Sequence, residues 1–171
     1  MLFRSEAIAQ GHVLIDVAGA AVGQINALTV REAGEHSFGA PSRVTARASM
    51  GRRGVINIER DVALGGPIQQ KGAMVIQGWL MGRFARRTPL SFNCSVTFEQ
   101  SYGGVEGDSA SLGELCALLS AIADLPLRQG LAITGSVNQH GDAQPIGGVN
   151  EKIEGFFDVC TQSGQIGRAH V

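Results

Sequence analysis

Val105-Glu106-Gly107-Asp108-Ser109-Ala110-Ser111-Leu112-Gly113-Glu114 runs from a glycine-bearing loop directly into an apolar helical stretch. Small residues around Ser109 let the backbone turn tightly ahead of the helix. The helix is expected over Ser111 to Ala123, and Ser111-Leu112-Gly113-Glu114 has the Ser-x-x-Glu form of a capping box. Ser109 therefore stands just before a helix N-terminus, where unpaired N–H groups point outward and favour negative charge. Groups of that kind stabilise the oxyanion of a tetrahedral intermediate. The same residues also describe an ordinary Gly-Asp-Ser turn that caps a helix.

A second loop-to-helix junction lies at Pro145-Ile146-Gly147-Gly148-Val149-Asn150-Glu151-Lys152. With Asn150 as the N-cap, Lys152 falls in the first helical turn. The positive end of the helix dipole disfavours its charged form, and burial would lower its pKa further. A lysine so placed is a base able to activate a serine hydroxyl. Read alone, the motif favours a surface lysine paired with Glu151 or Glu154.

The rest of the chain supplies a scaffold for these junctions. Val13–Val17, Val22–Val30, Arg43–Ala48 and Gly54–Glu59 read as short strands, with residues 35–41 as a turn between the second and third. Together they suggest an N-terminal β-meander. Lys71–Ala85 repeats Gly72, Ile76, Leu80 and Phe84 at helical spacing. Met74, Trp79 and Met81 are expected in the core, and Thr88-Pro89 is expected to stop the helix. A strand over Leu90–Phe98 precedes the Ser109 loop. A further strand over Leu131–Val137 and a hairpin turn at Gln139-His140-Gly141-Asp142 precede the Lys152 helix. The fold class is α+β, with strand–helix units in the second half.

Composition narrows the function. The 171 residues favour one domain, and 44% of them are apolar. The net charge of −1 leaves no whole-chain footprint for nucleic acid. Arg83, Arg86 and Arg87 read as a solvated helix end in preference to a contact for an acidic partner. The longest strongly apolar stretch, Leu115–Ala123, is too short to span a bilayer, so no membrane partner is expected. Cys94, Cys116 and Cys160 lie far apart in apolar surroundings and read as small core residues in a reducing compartment. His12, His36, His140 and His170 show no zinc-ligand spacing, and no phosphate loop occurs.

Taken together, the two junctions resemble the Lon peptidase family, in particular its branch with a Gly-Asp-Ser-Ala-Ser nucleophile loop. Glu106–Ser111 and Gln144–Lys152 carry the resemblance most specifically, and Ser109 and Lys152 are 43 residues apart, as in the family. Further similar stretches are Phe38–Ala46, Val55–Arg60 and Phe98–Tyr102, so the likeness runs from about Val22 to Gly164. The resemblance implies a Lon-type proteolytic domain acting as a serine endopeptidase. Ser109 is then the nucleophile and Lys152 its general base. Thr134, in Ala132-Ile133-Thr134-Gly135, matches a threonine that hydrogen-bonds the lysine, though it also reads as a plain strand threonine. Glu106 occupies an acidic position three residues before the serine, or is a solvated loop carboxylate. Asp108 shapes the loop or offers a backbone N–H.

The resemblance also implies partners and context. No cofactor or metal is expected in this chain, and ATP is expected on an ATPase region upstream. The substrates are unfolded or damaged proteins, the assembly a homo-oligomeric, hexameric ring, and the compartment the cytoplasm. An ATP-independent Lon-like peptidase and a catalytically silent assembly domain are the alternatives. Residues 1–17 read as the tail of a preceding region, 18–164 as the proteolytic domain, incomplete at its C-terminus, and 165–171 as a non-native tail.

Overall fold

The computed structural model describes residues 7–8, 10–33, 36–164 and 168–170. Part of each expected tail, residues 1–6 and 9 at the front and 165–167 and 171 at the end, lies outside the described residues, as does the Glu35 end of the expected turn.

The fold is α+β. Its strands are β1 (Ala20–Val22), β2 (Gln24–Ala33), β3 (His36–Met50), β4 (Gly54–Asn57), β5 (Phe92–Phe98), β6 (Pro126–Arg128), β7 (Leu131–Ile133), β8 (Ser136–Val137), β9 (Ala143–Gln144) and β10 (Arg168–His170). The helices are α1 (Ile58–Asp61), α2 (Pro67–Phe84), α3 (Ser111–Ala123) and α4 (Val149–Gln162). Six strands form one sheet in the order β10-β7-β2-β3-β5-β4. β2, β3 and β5 are antiparallel neighbours, β7 lies parallel to β2 and to β10, and β4 lies parallel to β5. β1–β6 and β8–β9 form two small antiparallel ribbons.

The N-terminal half is therefore not a simple meander. β3 pairs with β5 rather than with β4, because α1 and α2 return the chain past β4 before β5 enters. No strand forms over residues 13–17. That segment is held through Asp16, whose carboxylate accepts from Gln24 Nε2 at 2.7 Å and pairs with Arg43 at 2.9 Å. The expected strand over Val22–Val30 is interrupted at Gly23, where β1 leaves for its own ribbon with β6. Residues 36–41, read as part of a turn, belong to β3. Pairing with β5 begins only at Val44, so Pro41 falls where β3 has a sheet neighbour on one side, and the missing N–H costs the ladder nothing there.

Local chemistry fixes the other boundaries. Asn57 ends β4 and caps α1 by accepting from Arg60 N–H at 3.0 Å. α2 starts earlier than its apolar period suggests, with Pro67 in the first turn, where its missing N–H is harmless. Met74, Met81 and Phe84 turn out exposed rather than packed in the core, whereas Ile76 and Leu80 are buried. The strand read over Leu131–Val137 breaks at Thr134-Gly135 into β7 and β8.

Side chains alternate across the sheet, so each strand feeds both faces. Ile25, Ala27, Val44 and Ala46 pack with Leu115, Ala117 and Leu118 of α3 on one face. Leu28 and Ala132 pack with Phe156 and Cys160 of α4 on the other. Cys94 and Cys160 are buried, Cys116 is half-buried, and no disulfide joins them.

The expected capping box of α3 does not form. Ser111 Oγ accepts from Val137 N–H at 3.1 Å, and Glu114 turns inward instead of back to the cap. Only 2% of Glu114 is exposed, and its carboxylate accepts from Asn57 Nδ2 and Gln69 Nε2, both at 3.1 Å. Burial, with the nearby Glu59 carboxylate, pushes its pKa up to about 7, against the pull of those two donors. Glu59 is itself buried and accepts from Thr97 Oγ1 and Phe98 N–H, both at 2.7 Å.

A folded-state pKa above the unfolded value of 4.5 gives stability that is complete below pH 4.5 and lost as pH rises through about 7. Relative to Glu114→Gln, the parent is therefore expected to lose on the order of 3 kcal/mol of unfolding free energy across that window. Urea titrations of both proteins at pH 4.5 and 8 measure this, and a pH-independent difference contradicts it.

Candidate active site

The site forms where β7 stops. Beyond Ile133 the sheet no longer separates its two faces on the far side of β2, and the ends of α3 and α4 meet there. Ser109 precedes α3 on one face, and Lys152 lies in the first turn of α4 on the other. Lys152 Nζ donates to Ser109 Oγ at 3.0 Å.

Backbone anchoring holds the Ser109 loop. Its carbonyl accepts from Gly135 N–H at 2.7 Å and from Thr134 Oγ1 at 3.2 Å. Leu112 N–H returns a bond to the Gly135 carbonyl at 3.1 Å, so the loop and the break after β7 lock together. Thr134 is 0% exposed, and its hydroxyl also lies 3.4 Å from the Leu28 carbonyl. Its partners are thus two backbone carbonyls and not the lysine that the resemblance assigned to it. Gly135 was not picked out in the sequence. The one signal for it was a glycine inside an otherwise β-branched, apolar stretch, which marks a break or a close backbone approach.

Upstream, Val105 N–H donates to the Leu64 carbonyl at 2.9 Å, and Gly66 N–H donates to the Val105 carbonyl at 2.8 Å. Glu106 Oε1 accepts from Ile68 N–H at 3.1 Å, in the first turn of α2. This carboxylate therefore satisfies a helix N-terminal donor, a more definite task than solvating a loop. The Asp108 carbonyl accepts from Ser111 N–H at 2.9 Å, and its half-buried side chain lies close enough to act on Lys152.

α4 begins two residues earlier than an Asn150 N-cap would place it. Gly148 is its N-cap, with φ of 68° and ψ of 32°, and its carbonyl accepts from Lys152 N–H at 3.1 Å. A left-handed backbone of this kind favours glycine, and a Cβ here would also press on Val30 Cγ2 at 2.6 Å. Lys152 is only 3% exposed. Burial lowers its pKa from the ordinary 10.5, and the Asp108 carboxylate opposes that shift without cancelling it. An open cleft of about 510 Å³ borders the pair, lined by Val30, Glu106, Gly107, Asp108, Pro145, Ile146 and Gly147. A second hollow of about 390 Å³ adjoins it and shares Val30 and Glu106.

A serine hydroxyl against a buried amine of lowered basicity is an arrangement for nucleophilic catalysis. Residues 101–156, which hold both groups, match the family model of the Lon protease (S16) C-terminal proteolytic domain. The chain belongs to this family. It is 50% identical over 166 residues to a Lon protease homolog of Escherichia coli (strain K12), covering 96% of this chain and 28% of that protein. A Lon protease homolog of Haemophilus influenzae (strain ATCC 51907 / DSM 11121 / KW20 / Rd) is 46% identical over 161 residues, 93% of this chain and 27% of its own length. The archaeal Lon protease of Pyrococcus abyssi (strain GE5 / Orsay) is 35% identical over 133 residues, 68% of this chain and 13% of its own length. The chain thus spans less than a third of each of these relatives. Among the described residues, no helix is long and apolar enough to cross a membrane.

Replacing Thr134 by valine removes the donor facing two buried carbonyls. The expected loss is about 1–2 kcal/mol of unfolding free energy, with Thr134→Ser close to the parent. Denaturant titration measures this, and a valine variant as stable as the parent contradicts the anchoring role.

Proposed function

We propose that this domain is the serine endopeptidase part of a Lon-type, ATP-dependent protease that degrades unfolded or damaged proteins. The observation that carries the reading is the 3.0 Å approach of Lys152 Nζ to Ser109 Oγ, with the lysine buried. In the neutral form that burial favours, Lys152 accepts the hydroxyl proton as Ser109 Oγ attacks the scissile carbonyl carbon. The amide bond then breaks, the proton passes from Nζ to the leaving amine, and an acyl-enzyme ester remains on Ser109. Lys152 next takes a proton from water, whose oxygen attacks the ester. The acid product departs, and the proton returns to Ser109 Oγ.

The developing oxyanion needs donors, and two at the start of α3 are already engaged, Ser111 N–H on Asp108 and Leu112 N–H on Gly135. On this reading the N–H groups of Ser109 and Ala110, just ahead of the helix, take that role. ATP hydrolysis belongs to a region outside these residues, and the protein works in the cytoplasm as a homo-oligomeric, hexameric ring. These last features rest on the family likeness.

The test is hydrolysis of an unfolded protein by the parent, Ser109→Ala and Lys152→Ala. Both variants are expected to fold and to lose at least about 10³-fold in kcat. In the parent, kcat/KM is expected to rise with pH through a single ionisation lying below the ordinary lysine value, because the lysine must be neutral to accept the proton. A folded parent that hydrolyses nothing, with or without the ATPase region, overturns the proposal in favour of an assembly role.

A further inference from the structure

α4 crosses β3 with backbone against backbone. Gly39 of β3 and Gly155 of α4 face each other at the crossing. A Cβ built on Gly39 would overlap the carbonyl of Glu151 and stand 2.5 Å from the Cα of Lys152 itself. A Cβ built on Gly155 would overlap the Gly39 carbonyl and stand 3.1 Å from Ala40 N. All the atoms met are main-chain atoms, which have no side-chain torsion to move aside. Neither glycine has a positive φ, so the demand for glycine comes from space and not from backbone conformation.

The turn of α4 that touches Gly39 is the turn that carries Lys152. From there the side chain reaches across the end of β7 to Ser109 Oγ, 3.0 Å away. We propose that the Gly39–Gly155 contact sets the depth of α4 on the sheet, and that these two glycines are positioning residues for the Lys152 amine. The proposal rests on the Ser109–Lys152 reading above. A methyl group at either position lifts the helix, withdraws Nζ from Ser109 and lets water reach the amine. A displacement of about 1 Å is enough to cost roughly 10²-fold in turnover.

The chain has two lysines, Lys71 and Lys152, and Lys71 is exposed. Carbon-13 labelling of the lysine side chains therefore gives two sets of NMR signals, and that of Lys152 is readily assigned. The experiment follows the Lys152 titration, and the kcat and KM for an unfolded protein substrate, in the parent, Gly39→Ala, Gly155→Ala and Gly82→Ala. Gly82 has open space around its Cβ position and serves as the control.

In the parent and in Gly82→Ala, Lys152 is expected to titrate below the ordinary lysine value. In Gly39→Ala and Gly155→Ala it is expected to move up toward the ordinary lysine value while kcat falls about 10²-fold and KM stays unchanged. Folded variants whose Lys152 titration is unchanged overturn the proposal, whatever their turnover. Loss of folding in both also overturns it, because the crossing would then serve the fold as a whole. If the parent is inert, the peptidase reading fails on its own, and an upward shift of Lys152 in the variants still supports the positioning role.

Discussion

The hydrogen bond between Lys152 and Ser109 joins two helices that lie on opposite faces of one sheet, and the rest of the structure is arranged to permit it. A sheet ordinarily keeps side chains on its two faces apart. Here β7 stops after three residues, and the chain breaks at Thr134-Gly135. The groups freed at that break are used at once. Gly135 N–H and Thr134 Oγ1 both hold the Ser109 carbonyl, so the element that ends also fixes the serine loop. Lys152 arrives from the other face, where close packing of α4 on β3 keeps its amine dry.

Polar groups buried on the α3 side serve the same end. Glu114 on α3, Asn57 at the end of β4 and Gln69 on α2 share one carboxylate oxygen, and Glu59 fixes the start of the loop that leads into α2. Glu106 then ties the serine loop to the first turn of α2. The nucleophile loop is thus held at its beginning by α2 and at its end by the break after β7. Burying two carboxylates without a cation is costly, and the raised pKa of Glu114 expresses that cost.

The two site junctions were legible because each has a short-range signature, a loop of small residues running into an amphipathic helix. α3 came out with the boundaries its pattern suggests, whereas the pairing of Ser109 with Lys152 came from the resemblance to the Lon peptidase family that the two junctions carry. The strand order was not legible. Periodicity shows that a segment is extended but not which neighbour it takes, so β3 beside β5 stayed hidden. The turn read over residues 35–41 failed for a related reason: Gly39 serves a backbone crossing, and Pro41 sits where β3 has a single sheet neighbour. The role of Thr134 also lay out of reach, since its hydroxyl is directed by a break in β7 that appears only once β2 and β7 are paired. The capping-box pattern at Ser111–Glu114 failed because tertiary partners, Val137 and the Asn57–Gln69 pair, compete for the same side chains.

The central claim is that a neutral Lys152 makes Ser109 a nucleophile. The most direct measurement is the pH dependence of covalent labelling of the protein by a small phosphonofluoridate, with the modified residue located by mass spectrometry. The account predicts modification at Ser109, at a rate that climbs with pH through one ionisation below the ordinary lysine value and collapses in Lys152→Ala. Labelling at another residue, or a Ser109 rate unchanged by loss of Lys152, would contradict it.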